Sequence, residues 1–278
     1  MIGRVRVIQE GDHVTAESAT VAGSWAVILG ASSGFGAATA RALARGGMHI
    51  CGVHLDRRAT LPQAQAVIAD VEAAGVTALF FNQNAADPET RRQVVEALQA
   101  RQARVRVLMH SLAFGTLRPY IDRDPAQQVT QKQLEMTLDV MANSLVYWVQ
   151  DLFQAGLFAP DARIFAMTSE GSSRVWQGYG PVSAAKAALE AHIRQLAVEL
   201  APYQITANAI QAGVTDTPAQ NKIPGAQEML EHAARRNPGG RLTTPDDVAR
   251  AIYALSQPGL GWITGNVIRV DGGEALVP

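Results

Sequence analysis

The sequence is short of several things, and each shortage closes off a class of protein. One cysteine, Cys51, in 278 residues excludes an internal disulfide framework and a cysteine-rich zinc site. There is no surplus of charge: 24 Lys+Arg stand against 25 Asp+Glu, so the clustered basic surface that nucleic acid requires is not expected. No apolar run approaches the ~18 residues of a membrane span, and the first residues lack the charged and apolar blocks of a signal peptide. The expectation is a cytoplasmic protein with neither membrane nor nucleic-acid partner. The six histidines are scattered without a His-Glu-x-x-His or similar spacing, so no metal site is expected either. Ser169 carries no Gly-x-Ser-x-Gly elbow, which leaves an acyl-enzyme mechanism without support.

What the chain does have is apolar bulk and glycine. Hydrophobic residues make up 47%, ample for a buried core, and the length fits one large α/β domain or two small ones. Runs of strand length fall at Trp25–Leu29, Met48–Val53, Ala78–Asn82, Val105–His110, Arg163–Thr168, Thr206–Ile210 and Val267–Val270. Most are apolar at successive positions, as in strands buried on both faces of a parallel sheet. Between them lie helical patterns at Ala37–Arg45, Leu61–Ala74, Pro88–Arg101, Gln131–Phe153, Val182–Leu200 and Pro245–Leu255. Asp87-Pro88-Glu89 and Thr244-Pro245-Asp246 read as helix starts, a capping side chain before a proline. This alternation predicts a single α/β domain over residues 24–278, a Rossmann-like doubly wound parallel sheet with helices on both faces. Residues 1–23 form an N-terminal extension in which Arg4-Val-Arg-Val-Ile alternates like a short strand.

Gly30-Ala-Ser-Ser-Gly34-Phe-Gly36 directly follows the first of these strands and opens a helix. Glycines there permit a tight turn and let the backbone approach a pyrophosphate at the helix N-terminus, although glycine also serves plain helix–strand packing. The spacing is GxxxGxG. Further along come His110-Ser-Leu-Ala-Phe-Gly115, a serine before a Tyr…Lys pair, Asn208-Ala-Ile-Gln-Ala-Gly213 and Val270-Asp-Gly-Gly273. Taken together and in this order, over residues 24 to 276, these pieces resemble the short-chain dehydrogenase/reductase family.

Tyr179 and Lys186 are separated by six residues, where most of the family has three. Both separations keep the two side chains on one helix face, since four steps give about +40° and seven about −20° from alignment. The longer spacing moves the tyrosine toward the helix start, nominally by ~4.5 Å. In a ketone, hydride acceptor and oxygen are adjacent. In a conjugated enoyl thioester the hydride goes to the β carbon while charge develops on an oxygen farther along, which a displaced donor suits better. The spacing is similar to that of the enoyl-acyl-carrier-protein reductases, above all a divergent NADPH-using subgroup that also has the GxxxGxG turn and resembles this chain in Lys186-Ala-Ala-Leu-Glu190, Leu196-Ala-Val-Glu-Leu200 and Arg235…Gly240-Arg241. The His-Ser-x-x-Phe pattern of His110–Phe114 resembles the same branch. Met141 stands where carbonyl reductases carry a catalytic Asn, with Asn143 on another helical face. Ser169 departs from the second aromatic of many enoyl reductases; it either hydrogen-bonds the substrate oxygen or ends a strand.

The resemblance implies an NAD(P)H-dependent reductase of 2-enoyl thioesters, carried by acyl carrier protein or coenzyme A, of the fatty acid synthesis type. The alternative is a carbonyl reductase or alcohol dehydrogenase of the same family. The implied catalytic residues are Tyr179, Lys186 and Ser169. The implied cofactor contacts are Gly30, Ser32, Ser33, Gly34 and Phe35 in the turn, with Asn84 and Ala85 after the third strand. Ser111, Leu112 and Ala113 follow the fourth strand, and Lys186, Gly213, Thr215 and Thr217 complete the set. At the end of the second strand, His54 occupies the place of the acid common in NAD enzymes. Arg57 and Arg58 suit a 2′-phosphate, favouring NADPH over NADH, while Asp56 argues the other way. The stretch Pro218–Arg241 has the length of an active-site lid. In it Met229 and Leu230, with Phe114, are acyl-chain candidates, though such residues also pack against a protein body. Family resemblance further implies a homotetramer built partly on the long helices.

Overall fold

A computed structural model describes residues 21–277. The strand-like Arg4–Ile8 lies outside the described residues, as does most of the expected extension. Among the described residues seven strands run in chain order: β1 Trp25–Leu29, β2 His49–His54, β3 Ala78–Asn82, β4 Val105–His110, β5 Phe158–Thr168, β6 Thr206–Ala212 and β7 Val267–Val270. They form one sheet in the order β3-β2-β1-β4-β5-β6-β7, every neighbouring pair parallel. The Rossmann-like doubly wound sheet expected from the apolar runs is therefore present. The chain reverses its direction of winding between β1 and β4, which opens a crevice at the carboxyl ends of those two strands.

The helices are α1 Gly34–Arg45, α2 Leu61–Ala73, α3 Pro88–Gln99, α4 Gln131–Leu138, α5 Ser144–Gln154, α6 Gly180–Leu200, α7 Ala226–Arg236 and α8 Pro245–Leu255. Two cores cover the two sheet faces. One joins Val94 and Leu98 of α3, Leu145 and Trp148 of α5, and Leu189 and Ile193 of α6. The other joins Leu43 of α1, Val67 and Val71 of α2, and Val248 and Ile252 of α8. Both proline-marked helix starts are capped: the Asp87 carboxylate accepts the Glu89 N–H, and Thr244 and Asp247 form a reciprocal capping box. No described helix is long and apolar enough to cross a membrane.

Three local differences from the sequence expectations have physical causes. The pattern Gln131–Phe153 is not one α-helix, because a π-turn over Asp139–Asn143 separates α4 from α5. One widened turn keeps the apolar stripe nearly continuous, so periodicity does not reveal it. β5 begins at Phe158, five residues early, through Pro160 and an Asp161 in the left-handed region (φ +60°), where no apolar run would announce a strand. Finally, two buried arginines lie inside strands. Arg106 donates to the Ser256 carbonyl and Arg163 to that of Leu255, satisfying the orphan carbonyls at the end of α8, with Asp161 as their shared counter-ion.

Candidate active site

The turn after β1 needs its glycines. Gly30 has φ +90°, and a Cβ there would lie 2.4 Å from the Ser111 carbonyl oxygen, at the start of the segment that follows β4. Gly34, at φ +52°, packs on the Thr217 methyl, so the turn touches the segment after β6 as well. Ser33 is the N-cap of α1 but makes no capping bond, and Ser32 and Phe35 flank Gly34 in the same turn. α1 thus starts without a side-chain cap, the arrangement that leaves its first N–H groups open to an anion.

The other expected cofactor residues arrive at the same edge of the sheet because each follows a strand's carboxyl end. Asn84 holds its own turn by accepting the Ala86 N–H at 3.0 Å, and buried Trp148 fixes Ala85 by donating to its carbonyl at 2.8 Å. Leu112, one residue beyond Ser111, lies against Gly30, while Ala113 and Phe114 continue outward, both exposed. Gly213 has no room for a side chain beside Thr243 and Glu274, and Thr215 and Thr217 are buried. His54 is buried and its Nδ1 is 2.8 Å from Asp56 Oδ2. Burial alone would raise the Asp56 carboxyl, but the Thr60 and Ser32 hydroxyls and His54 outweigh it and hold it below its ordinary value. Arg57 and Arg58 are exposed and make no ion pair with described residues.

At the other side of the crevice, Tyr179 is the N-cap of α6, with Pro181 just inside the helix. Its ring lies against Gly171, where a Cβ would be 2.4 Å from Cε1, and its hydroxyl is 3.4 Å from Ser169 Oγ. Ser169 thus stands directly after the end of β5 at Thr168, with its hydroxyl turned to the tyrosine. Burial raises the Tyr179 phenol above its ordinary value against the opposing Ser169 hydrogen bond, so the phenol keeps its proton at neutral pH. Two turns along α6, buried Lys186 donates from Nζ to the Met167 carbonyl at 2.7 Å. Burial pulls its ammonium down to about 8, partly offset by Glu190, which itself accepts from Thr168 at 2.6 Å. Met141 is buried in the π-turn with its sulfur near Gly115, and Asn143 pairs with His192 at 3.2 Å. Neither supplies a polar group to Lys186 in place of the missing Asn.

Beyond Thr217, the long segment folds as a short 3₁₀ turn (Gln220–Lys222) and α7. Leu230 is packed inward while Met229 is half-exposed, its sulfur accepting from Gln220. The sequence reading missed the partners that organise the site: Glu190 behind Lys186, and Arg236 with Glu170 and Glu274 beneath α7. Glu190 had a signal, since it lies four residues past Lys186 on the same helix face. The other three are far apart in the chain and had none. Among the described residues no three His, Cys, Asp or Glu side chains converge on a metal-sized site.

Buried His110 adds a pH signature to this region. Its Nε2 lies 2.9 Å from Ser144 Oγ, and burial, with the nearby Lys186 charge, pulls its pKa to about 3 from 6.5. The unfolded chain therefore takes up a proton below about pH 6.5 that the folded chain refuses until about pH 3. Stability contributed by neutral His110 is present above 6.5 and falls as pH drops through that window, by up to about 1.4 kcal/mol per pH unit. His110→Gln should flatten the acid side of a urea-midpoint-against-pH curve. An unchanged slope between pH 6.5 and 4 would show that His110 does not carry it.

A parallel sheet with a glycine turn at its switch point, joined to a Tyr–Lys pair, defines a dinucleotide-dependent oxidoreductase. Comparison with known proteins gives the particular family. Residues 30–274 match the family described as enoyl-(acyl carrier protein) reductase. The chain belongs to this branch of the short-chain dehydrogenases/reductases and is an NAD(P)H-dependent short-chain reductase. It is 29% identical over 257 residues to the 1-cyclohexenylcarbonyl-CoA reductase of Streptomyces collinus, covering 90% of this chain and 86% of that one. It is 30% identical over 201 residues to the enoyl-[acyl-carrier-protein] reductase [NADH] FabI of Nostoc sp., covering 72% and 76%. The crystal structure of the enoyl-[acyl-carrier-protein] reductase (NADH) from Aquifex aeolicus superposes with a TM-score of 0.80 at 21% identity, covering 93% of this chain and 98% of that one.

Proposed function

We propose that this protein reduces the 2,3 double bond of a 2-enoyl thioester carried by acyl carrier protein or coenzyme A. The observation that carries the reading is Tyr179 at the very start of α6, two helical turns ahead of Lys186 and in reach of Ser169. A reduced nicotinamide, when bound, supplies the hydride. The chain's own residues do the rest. Tyr179, kept protonated by burial, donates to the thioester carbonyl oxygen as negative charge accumulates there, and Ser169 orients the phenol. Lys186 places a positive charge behind the site and holds ribose hydroxyls, its position fixed by the Met167 carbonyl. The uncapped start of α1 and Gly34 receive the pyrophosphate, and Phe114 and Met229 line the acyl path, while Leu230 packs against the protein body instead. Residues present thus fit a dinucleotide without rearrangement of the turn.

For cofactor choice we favour NADPH, with NADH as the alternative. Arg57 and Arg58 are exposed, without ion pairs among the described residues, and would offset by charge-assisted hydrogen bonds the repulsion of a 2′-phosphate by the Asp56 carboxylate, which Thr60, Ser32 and His54 keep ionised. The reading includes a homotetramer assembled partly on α4, α5 and α6, which light scattering on the purified chain reads directly. The test of function is turnover of crotonyl-CoA and crotonyl-acyl-carrier-protein with each reduced nicotinamide. Saturable oxidation of the nicotinamide with formation of butyryl product is expected, faster with NADPH. Reduction of ketones or 3-oxoacyl thioesters, with no enoyl turnover, would replace this reading with that of a carbonyl reductase, a role that Ser169 beside Tyr179 also suits.

A further inference from the structure

The proposed lid is tied down at its base by a group that the reaction above does not use. α7 ends at Arg236, whose Nη2 lies 3.3 Å from Glu170 Oε2 and 3.4 Å from Glu274 Oε1. The three side chains are largely withdrawn from water, at 10%, 25% and 3% exposure respectively. Each carboxylate has a second attachment. Glu274 Oε1 accepts the Val214 N–H at 3.2 Å, so it also holds the start of the Gly213–Thr217 segment. Glu170 follows Ser169 directly in the chain, and its Oε1 meets Arg174 at 2.9 Å. Next to Arg236, buried Asn237 donates to the Asp271 carbonyl at 2.8 Å. The outer part of the lid is held by more exposed bonds, from Asn221 to the Asp216 carboxylate at 2.9 Å and from Trp176 to the Pro224 carbonyl at 3.4 Å.

A single guanidinium between two carboxylates fixes three parts of the site to one another. Without it, Glu274 loses its one ion-pair partner among the described residues and faces a Glu170 held by Arg174 alone, and the lid moving outward rehydrates both carboxylates. The base of α7 is thereby set against both the residue after Ser169 and the segment that carries Thr215 and Thr217.

We propose that Arg236 is a positioning residue, which sets the closed height of the lid over Ser169 and Tyr179 by clamping Glu170 and Glu274 together. Only the kinetic part of this proposal rests on the enoyl-thioester reading. Lysines stand at 132, 186 and 222 alone, with Lys222 exposed in the lid, Lys132 exposed on α4 and Lys186 buried. A lysine-specific endoproteinase therefore reports lid opening at Lys222 against an internal reference at Lys132.

In Arg236→Met, cleavage after Lys222 should rise about tenfold relative to Lys132. KM for crotonyl-CoA should rise about tenfold with kcat changing less than about threefold. Arg236→Lys should recover part of both effects, and Glu170→Gln should move both in the same direction by less. Cleavage at Lys222 unchanged, or accelerated no more than at Lys132, would overturn the proposal. If Arg236→Met does not fold, Glu170→Gln decides on the same criteria. Should the wild-type protein fail to turn over any enoyl thioester, the functional reading falls while the cleavage ratio still judges the clamp.

Discussion

On the proposed enoyl reduction, Tyr179→Phe should lower kcat by about 10²- to 10³-fold, the usual effect of removing one donor aimed at a developing oxyanion. Affinity for the reduced nicotinamide should stay within about twofold of wild type, because the phenol hydroxyl meets Ser169 and the proposed dinucleotide contacts are made by other residues. The size follows from the environment. The ring is lodged against Gly171, the hydroxyl meets Ser169, and burial keeps its proton on, so the phenol is a preorganised donor. Ser169→Ala should cost far less, since the Ser–Tyr contact is 3.4 Å and orients the phenol without replacing it. The pH profile gives an independent reading. Lys186 loses its charge as pH rises through about 8, so kcat/KM should fall on the alkaline side of that value, with Tyr179 still protonated. Pre-steady-state and steady-state rates with crotonyl-CoA check these outcomes, and a Tyr179→Phe enzyme retaining a third of its activity would remove the tyrosine from this role.

Much of the fold was legible because burial on both sheet faces leaves a plain trace. Trp25–Leu29 and Val267–Val270 were placed to the residue, and the glycine turn, Tyr179 and Lys186 fell at the carboxyl edge where strand–helix alternation puts them. What stayed hidden depends on contacts that no spacing encodes. The π-turn at Asp139–Asn143 adds width without breaking the apolar stripe. Arg106 and Arg163 look like interruptions of their strands, yet they are buried because α8 ends in carbonyls that need donors. The His54–Asp56 pair straddles the end of β2, where the chain leaves the sheet and strand alternation gives no guide to it. The addition of Ser32 and Thr60 to Asp56, which keeps its carboxylate charged, required the folded chain. The Arg236 clamp joins positions 66 and 38 residues away and left no trace at all.

Gly30→Ala should damage both stability and nucleotide binding, and Gly75→Ala separates its two causes. Both glycines sit in the left-handed region, at φ +90° and +78°. A Cβ at Gly75 meets nothing within 4 Å, so alanine there suffers backbone strain alone, about 1–2 kcal/mol. A Cβ at Gly30 meets the Ser111 carbonyl oxygen at 2.4 Å and its carbon at 3.1 Å, so either the turn or the strand-β4 extension must shift. Neither can do so cheaply. The Gly30 N–H donates to the Val53 carbonyl and the Ser111 N–H to that of Leu29, tying both sides of the contact into the sheet. The loss should therefore exceed that of Gly75→Ala by about 2 kcal/mol or more, the cost of overpacking a rigid site. Nucleotide affinity should also fall by more than about tenfold, since the displaced backbone is the one that approaches the pyrophosphate. Denaturant midpoints and a titration of reduced-nicotinamide fluorescence measure the two effects. Equal destabilisation by the two substitutions would mean that the Ser111 contact yields freely, and unaltered affinity in Gly30→Ala would place the phosphates away from this turn.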